Sequence, residues 1–194
     1  MDDRSNLTPP PVLEQIQTTT AALGFQMGSE PVVGTLLRTL AATKPGGTLL
    51  ELGTGTGLAT AWLLAGMDQA AQLISVDNDV HVIAVAKQYL AHDDRVQIYT
   101  ADAGTFLATL PPHSVDLIFA DTWAGKYTHL EETLQLLKSG GLYVIDDMLP
   151  QTNWPEGHAP KVERLIAELE SRTDLVLTKL NWASGIIVAA KVRA

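Results

Sequence analysis

Residues 49–60 read LLELGTGTGLAT. An apolar run carries one acid, Glu51, and then breaks into Gly53, Gly55 and Gly57, spaced by Thr54 and Thr56. A further apolar run, GLATAWLLAG, follows at once. A short strand, a glycine turn and a helix make a βα unit. Glycine has no Cβ, so such a turn lets the backbone lie close against a ligand. The spacing here is G-x-G-x-G. A dinucleotide fingerprint needs G-x-G-x-x-G, and Leu58 stands where its third glycine would fall. A P-loop is excluded, because no Gly-Lys-Ser/Thr follows.

The same unit repeats along the chain. Thr48 to Leu52, Gln72 to Asp77, Arg95 to Asp102, Val115 to Asp121 and Gly141 to Asp147 are short apolar runs bounded by Gly, Pro or acids, and they read as strands. Helical patterns lie between them. One is DVHVIAVAKQYLA with Asp79 as N-cap, and another is HLEETLQLLKSGG closed by Lys138 and a glycine pair. A last helix, Ala159 to Ser171, precedes DLVLTKL and SGIIVAAKV, which a turn over Asn181 to Gly185 joins as a hairpin. The expected fold class is α/β: a doubly wound, mostly parallel seven-stranded sheet with a C-terminal antiparallel hairpin and helices on both faces. One domain over residues 1–194 is expected, with 1–23 as a short N-terminal extension holding one helix, Pro11 to Leu23.

Composition narrows the partners. Formal net charge is -9, and the Lys and Arg residues are scattered. Nucleic acid and anionic membranes would be repelled, so neither is expected as a partner. There is no cysteine, hence no thiolate chemistry. The start of the chain, MDDRSNLTPPP, has no apolar core of a leader, and no apolar run approaches the length of a membrane span. A cytoplasmic protein is the expectation.

Open α/β sheets bind ligands beyond the carboxyl ends of their strands. Every one of the first five strands ends in or beside an acid: Glu51, Asp77, Asp102, Asp121, and Asp146 with Asp147. Single acids there serve as helix caps, but that is a poor account of the whole set. Glu51 and Asp121 could hold an ammonium group, Asp77 a ribose diol, and Asp102 an exocyclic amine. Ammonium, ribose and an amine-bearing base together describe S-adenosylmethionine.

LLELGTGTGLAT, ISVDND, YTADAGTFL, VDLIFAD and LLKSGGLYVIDDML resemble the successive motifs of class I S-adenosylmethionine-dependent methyltransferases, whose sheet is Rossmann-like. With the upstream FQMGSE and the closing NWASGIIVAAK, the chain is similar to the metal-dependent catechol and caffeoyl-CoA type O-methyltransferases. The resemblance implies a small-molecule acceptor, methylation of its hydroxyl, and a homodimer. It implies that Met27, Glu51, Gly53, Thr54, Gly55, Gly57, Asp77, Asn78, Asp102, Ala103, Asp121 and Trp123 surround the cofactor. Asp121, Asp146 and Asp147 match three metal-ligand positions, suited to Mg²⁺ or another divalent cation.

Two positions depart from the family pattern. Asp147 stands where the family usually has Asn, and Ala124 stands at the catalytic lysine position. Lys126, two residues on, is the candidate replacement beside Asp121, and His129 or His158 could take a proton instead. Two alternatives remain: a cofactor-binding protein without catalysis, suggested by Ala124, and a nucleotide-dependent oxidoreductase, disfavoured by Leu58.

Overall fold

A computed structural model of the chain describes residues 2–5, 7–152 and 154–192. The chain divides into two compact units, Met1–Ala103 and Gly104–Ala194.

The first unit holds α1 (Leu13–Leu23), α2 (Pro31–Ala42), β1 (Thr48–Leu52), α3 (Leu58–Gly66), β2 (Gln72–Asp77), α4 (Val80–Leu90) and β3 (Val96–Thr100). β1 pairs in parallel with β2, and β2 with β3. Leu49, Leu50 and Leu52 are fully buried; each such side chain contributes about 1.5–3 kcal/mol. Asp79 caps α4, accepting from the backbone N–H groups of His81 and Val82. Helix α2 is one the apolar pattern of the sequence did not single out, so two helices precede β1 rather than one. It packs on α3 through Gly34, where a Cβ would come within 2.2 Å of the Trp62 ring. The Glu30 side chain makes no capping hydrogen bond, and the helix starts at Pro31, which is preorganised for a first helical turn.

The second unit takes most of α5 (Ala103–Leu107), then β4 (Val115–Ala120), α6 (Leu130–Leu136), β5 (Leu137–Ile145), α7 (Ala159–Ser171), β6 (Leu175–Leu180) and β7 (Ile186–Lys191). β4 and β5 are parallel, while β7 runs antiparallel to both β5 and β6. The hairpin expected around Asn181 to Gly185 is present. The seven strands follow the order β3-β2-β1-β4-β5-β7-β6, a mixed sheet of the expected class.

One boundary is corrected. The helix expected to run to the Lys138–Gly141 segment stops at Leu136, and β5 begins at Leu137. Leu137 is fully buried and pairs with Val115. The register then shifts between Val115 and Leu117, and Gly140 takes a φ of 79° within that irregularity. Lys138, read as a helix-closing charge, instead donates to Asp116 Oδ2 at 2.6 Å. The freed helix end is satisfied from β7, where buried Lys191 Nζ donates to the Leu134 carbonyl at 2.6 Å. Among the described residues no helix is long and apolar enough to cross a membrane.

Candidate active site

In the first unit the glycine turn after β1 is left-handed at all three glycines: φ is 97° at Gly53, 52° at Gly55 and 93° at Gly57. Side-chain-bearing residues rarely adopt such angles. The turn folds back on β2. Gly53 and Thr54 donate backbone N–H bonds to the Val76 carbonyl, and Gly55 N–H donates to Asp77 Oδ2 at 2.8 Å. Asp77 Oδ1 accepts from Asp79 N–H at 2.9 Å, so its carboxylate is held fixed at the mouth of the turn. Asn78 and Asp102 are exposed at the ends of β2 and β3, and Ala103 is buried.

Glu51 is wholly buried beneath this turn. Its Oε2 accepts from Thr60 Oγ1 at 2.6 Å and from Ser75 Oγ, and Ser75 Oγ is 2.6 Å from Thr54 Oγ1. Its other oxygen, Oε1, has no hydrogen-bond partner among the described residues. Burial pushes the Glu51 pKa up to about 7, against the Ser75 and Thr60 bonds that lower it. A buried acceptor left open is unusual and invites a donor from a ligand. The open Oε1, the anchored Asp77 and the Cβ-free turn fit a ligand bearing an ammonium and a diol, which S-adenosylmethionine does. Ser75 and Thr60 were missed from the sequence; their signal is a hydroxyl within an otherwise apolar strand and helix. Met27 is 69 % exposed. Phe25, from the same FQMGSE segment, lies beside the turn, its ring 3.5 Å from where a Gly55 Cβ would be.

In the second unit the segment after β4 curls tightly. The Trp123 carbonyl accepts from the N–H groups of Lys126, Tyr127 and Thr128, and Gly125 makes this possible with a φ of 86°. The curl turns Lys126 inward, where it is 5 % exposed. Lys126 Nζ lies 3.7 Å from Asp121 Oδ1 and donates to the Asp146 main-chain oxygen at 2.9 Å. Asp146 is 2 % exposed. Its Oδ1 accepts from Ser184 Oγ and from Asp147 N–H. Burial, and next the Asp147 carboxylate, push the Asp146 pKa up to about 6, while Ser184 and Lys126 act the other way. Ser184 was also missed; it sits in the NWASG turn between β6 and β7.

The three carboxylates expected to hold a divalent cation do not converge. Among the described residues no group of three or more His, Cys, Asp or Glu side chains could hold a metal ion. The donors present explain this. Lys126 pairs with Asp121, and Asp146 turns its Oδ1 to Ser184 and its own chain. Asp147 has a φ of 61°, which carries its backbone away from strand geometry. The residues as arranged do not fit a hard cation needing several free carboxylate oxygens.

Beside Lys126 opens a cavity of about 290 Å³, lined among others by Trp123, Tyr127, Lys161, Arg164 and Glu168. Lys161 Nζ stands 3.8 Å from the centroid of the Trp123 ring, a cation–π contact. Tyr127 meets Trp123 edge-on, and its hydroxyl is 3.1 Å from His158 Nε2. His129 lies elsewhere in the unit, packed over Gly104.

Comparisons with known proteins give the family and the fold. A family described as a methyltransferase domain matches residues 50–148, and the chain belongs to that family. Relatives from Mycobacterium ulcerans and Mycobacterium marinum, both bearing a provisional O-methyltransferase name, are 33 % identical over 120 residues. The match covers 59 % of this chain and 54 % of each relative, so the chain spans about half the length of the curated relatives it matches. Among solved structures, the O-methyltransferase TomG of Streptomyces achromogenes, in complex with S-adenosylmethionine, superposes with a TM-score of 0.82. Its identity is 19 %, covering 94 % of this chain and 90 % of that one. The O-methyltransferase of Bacillus cereus, in complex with S-adenosylhomocysteine, gives 0.81 at 20 % identity, covering 93 % and 90 %. These likenesses speak for the fold.

Proposed function

We propose that this chain is an S-adenosylmethionine-dependent methyltransferase acting on a hydroxyl oxygen of a small molecule. The observation that carries the reading is the buried, unpartnered Oε1 of Glu51 beneath a turn of three left-handed glycines. S-adenosylmethionine, when bound, supplies a methyl group made electrophilic by its sulfonium. Glu51, with Gly53, Thr54, Gly55 and Gly57, would hold the amino acid portion. Asp77 and Asn78 would hold the ribose, Asp102 and Ala103 the adenine, and Met27 would border the site.

The acceptor belongs in the cavity beside Lys126. Lys126 would stabilise negative charge as the acceptor oxygen gives up its proton, and Asp121 would keep the lysine in place. Trp123 would give an aromatic acceptor a flat wall. A divalent cation has no part in this reading, because Lys126 engages Asp121 and Ser184 engages Asp146, two of the three carboxylates that would hold it. The inward Lys126 favours catalysis over the reading of a binder without catalysis, which rested on Ala124. A cytoplasmic location and a homodimer complete the proposal.

Calorimetry with S-adenosylhomocysteine and with NAD tests it. S-adenosylhomocysteine should bind in a one-to-one complex and NAD should not. Binding of NAD alone would overturn the reading in favour of an oxidoreductase.

A further inference from the structure

The proposed reaction needs a group to receive the acceptor's proton. Lys126 is poorly placed to be that group. Its nitrogen already donates to the Asp146 carbonyl and pairs with Asp121. Ala124 has no basic atom. A second arrangement in the same unit is better suited.

Tyr127 lines the cavity, and its hydroxyl is 3.1 Å from Nε2 of His158. His158 is 7 % exposed and sits immediately before α7. Three rings surround its imidazole: Trp154 at 4.6 Å, Tyr127 at 5.1 Å and Trp123 at 6.0 Å between centroids. Its Nδ1 is buried without a hydrogen-bond partner among the described residues. A histidine kept only for packing in an aromatic box would not need its single hydrogen bond aimed at a cavity-lining phenol. An imidazole with one nitrogen idle is an incompletely satisfied group, the kind found where chemistry is done.

We propose that Tyr127 and His158 form a proton relay that accepts the hydroxyl proton of the methyl acceptor. The inference rests on the methyl-transfer reading above and names its base. The acceptor O–H gives its proton to the Tyr127 oxygen while the Tyr127 proton passes to His158 Nε2. The proton ends on the imidazole, which becomes an imidazolium, and Tyr127 ends as it began. The acceptor oxygen keeps the electron pair of its O–H bond and uses it to form the O–CH₃ bond, while the pair of the broken C–S bond stays on sulfur. Tyr127 is then the catalytic residue, touching the acceptor, and His158 acts through it.

The surroundings suit this task. Burial, followed by Lys126 and Lys161, lowers the His158 pKa, with Asp147 opposing. The imidazole therefore stays neutral and able to accept at ordinary pH. Burial, then Asp147 and Asp121, pushes the Tyr127 pKa up to about 12. The phenol therefore passes a proton on rather than resting as a phenolate.

The test uses 4-nitrocatechol, whose absorbance reports its own ionisation, with the S-adenosylhomocysteine-bound protein. The variants are Tyr127→Phe, which keeps the ring and its packing, and His158→Gln. In the unaltered protein the bound probe should ionise at a lower pH than in either variant, by about one unit, a tenfold change in ionisation. Turnover of the same probe with S-adenosylmethionine should fall about 10²-fold in kcat in each variant, with KM nearly unchanged. Affinity for S-adenosylhomocysteine should stay the same. Variants that ionise and methylate the probe like the unaltered protein would overturn the relay while leaving the methyl-transfer reading standing. If S-adenosylhomocysteine does not bind the unaltered protein, the methyl-transfer reading falls and the relay with it.

Discussion

Lys126 and Asp146, twenty residues apart in sequence, meet where the lysine Nζ donates to the aspartate's main-chain oxygen at 2.9 Å, out of contact with solvent. The bond fixes the cation that the curl after β4 turns inward. Lys126→Met should remove a buried donor and leave that carbonyl open, costing about 1–3 kcal/mol in urea denaturation. It should also lower kcat about 10²-fold or more, as loss of a charge-stabilising donor does. Unchanged kcat in a folded variant would separate Lys126 from the chemistry.

Metal removal should do little. With Asp121 paired to Lys126 and Asp146 engaged by Ser184, chelation by EDTA should leave turnover within about twofold, and added Mg²⁺ should not raise it. A steep, Mg²⁺-reversible loss of turnover would show that the carboxylates rearrange to bind an ion.

Asp146 sets a pH dependence of stability. Its folded pKa, about 6, lies above the ordinary 3.8. Between these values the unfolded chain has released the proton and the folded chain still holds it. Stability from this group therefore falls as pH rises through that window and stays reduced above it. Asp146→Asn keeps an Oδ1 acceptor for Ser184 and cannot ionise. It should be more stable than the natural sequence at pH 8, by about 1–3 kcal/mol, and equal to it near pH 4. Parallel denaturation curves across that range decide it.

Glu51 predicts proton release on cofactor binding. Near pH 6 its carboxyl, with a pKa of about 7, is largely protonated in the free protein. A ligand ammonium against Oε1 would favour the ionised form. Calorimetry at pH 6 in buffers of different ionisation enthalpy should register protons released, and affinity should rise with pH through 7. Glu51→Gln should abolish the release and weaken binding. Binding without proton release would place the ammonium elsewhere.

Much of this is legible in the sequence. Strand ends are marked by acids because polar groups must emerge where buried strands stop, and alternating glycines mark a turn that only glycine adopts. Asp79 was readable as a cap because its side chain acts on its own neighbours. The errors fall where distant partners decide. Leu137 looks helical by local pattern, yet pairing with Val115 makes it a strand. Lys126 lies two positions past the place where a base is expected, and only the Gly125 curl shows that it turns inward. Ser184 and His158 reach their partners from 38 and 31 residues away, a distance no local pattern encodes. The carboxylate trio was legible as three acids but not as a geometry, since a lysine and a serine decide where those acids point.

The Lys161 ammonium over the Trp123 indole gives the cavity an optical reporter. Trp123 is 48 % exposed with the Lys161 ammonium on one face, whereas Trp62, which carries the Arg38 guanidinium over its ring, is sealed in the core. An aromatic acceptor stacking in the cavity would compete with that ammonium and change the polarity around one indole. The intrinsic fluorescence of the unlabelled protein would then follow occupancy directly, allowing candidate acceptors to be ranked by emission before any methylated product is sought.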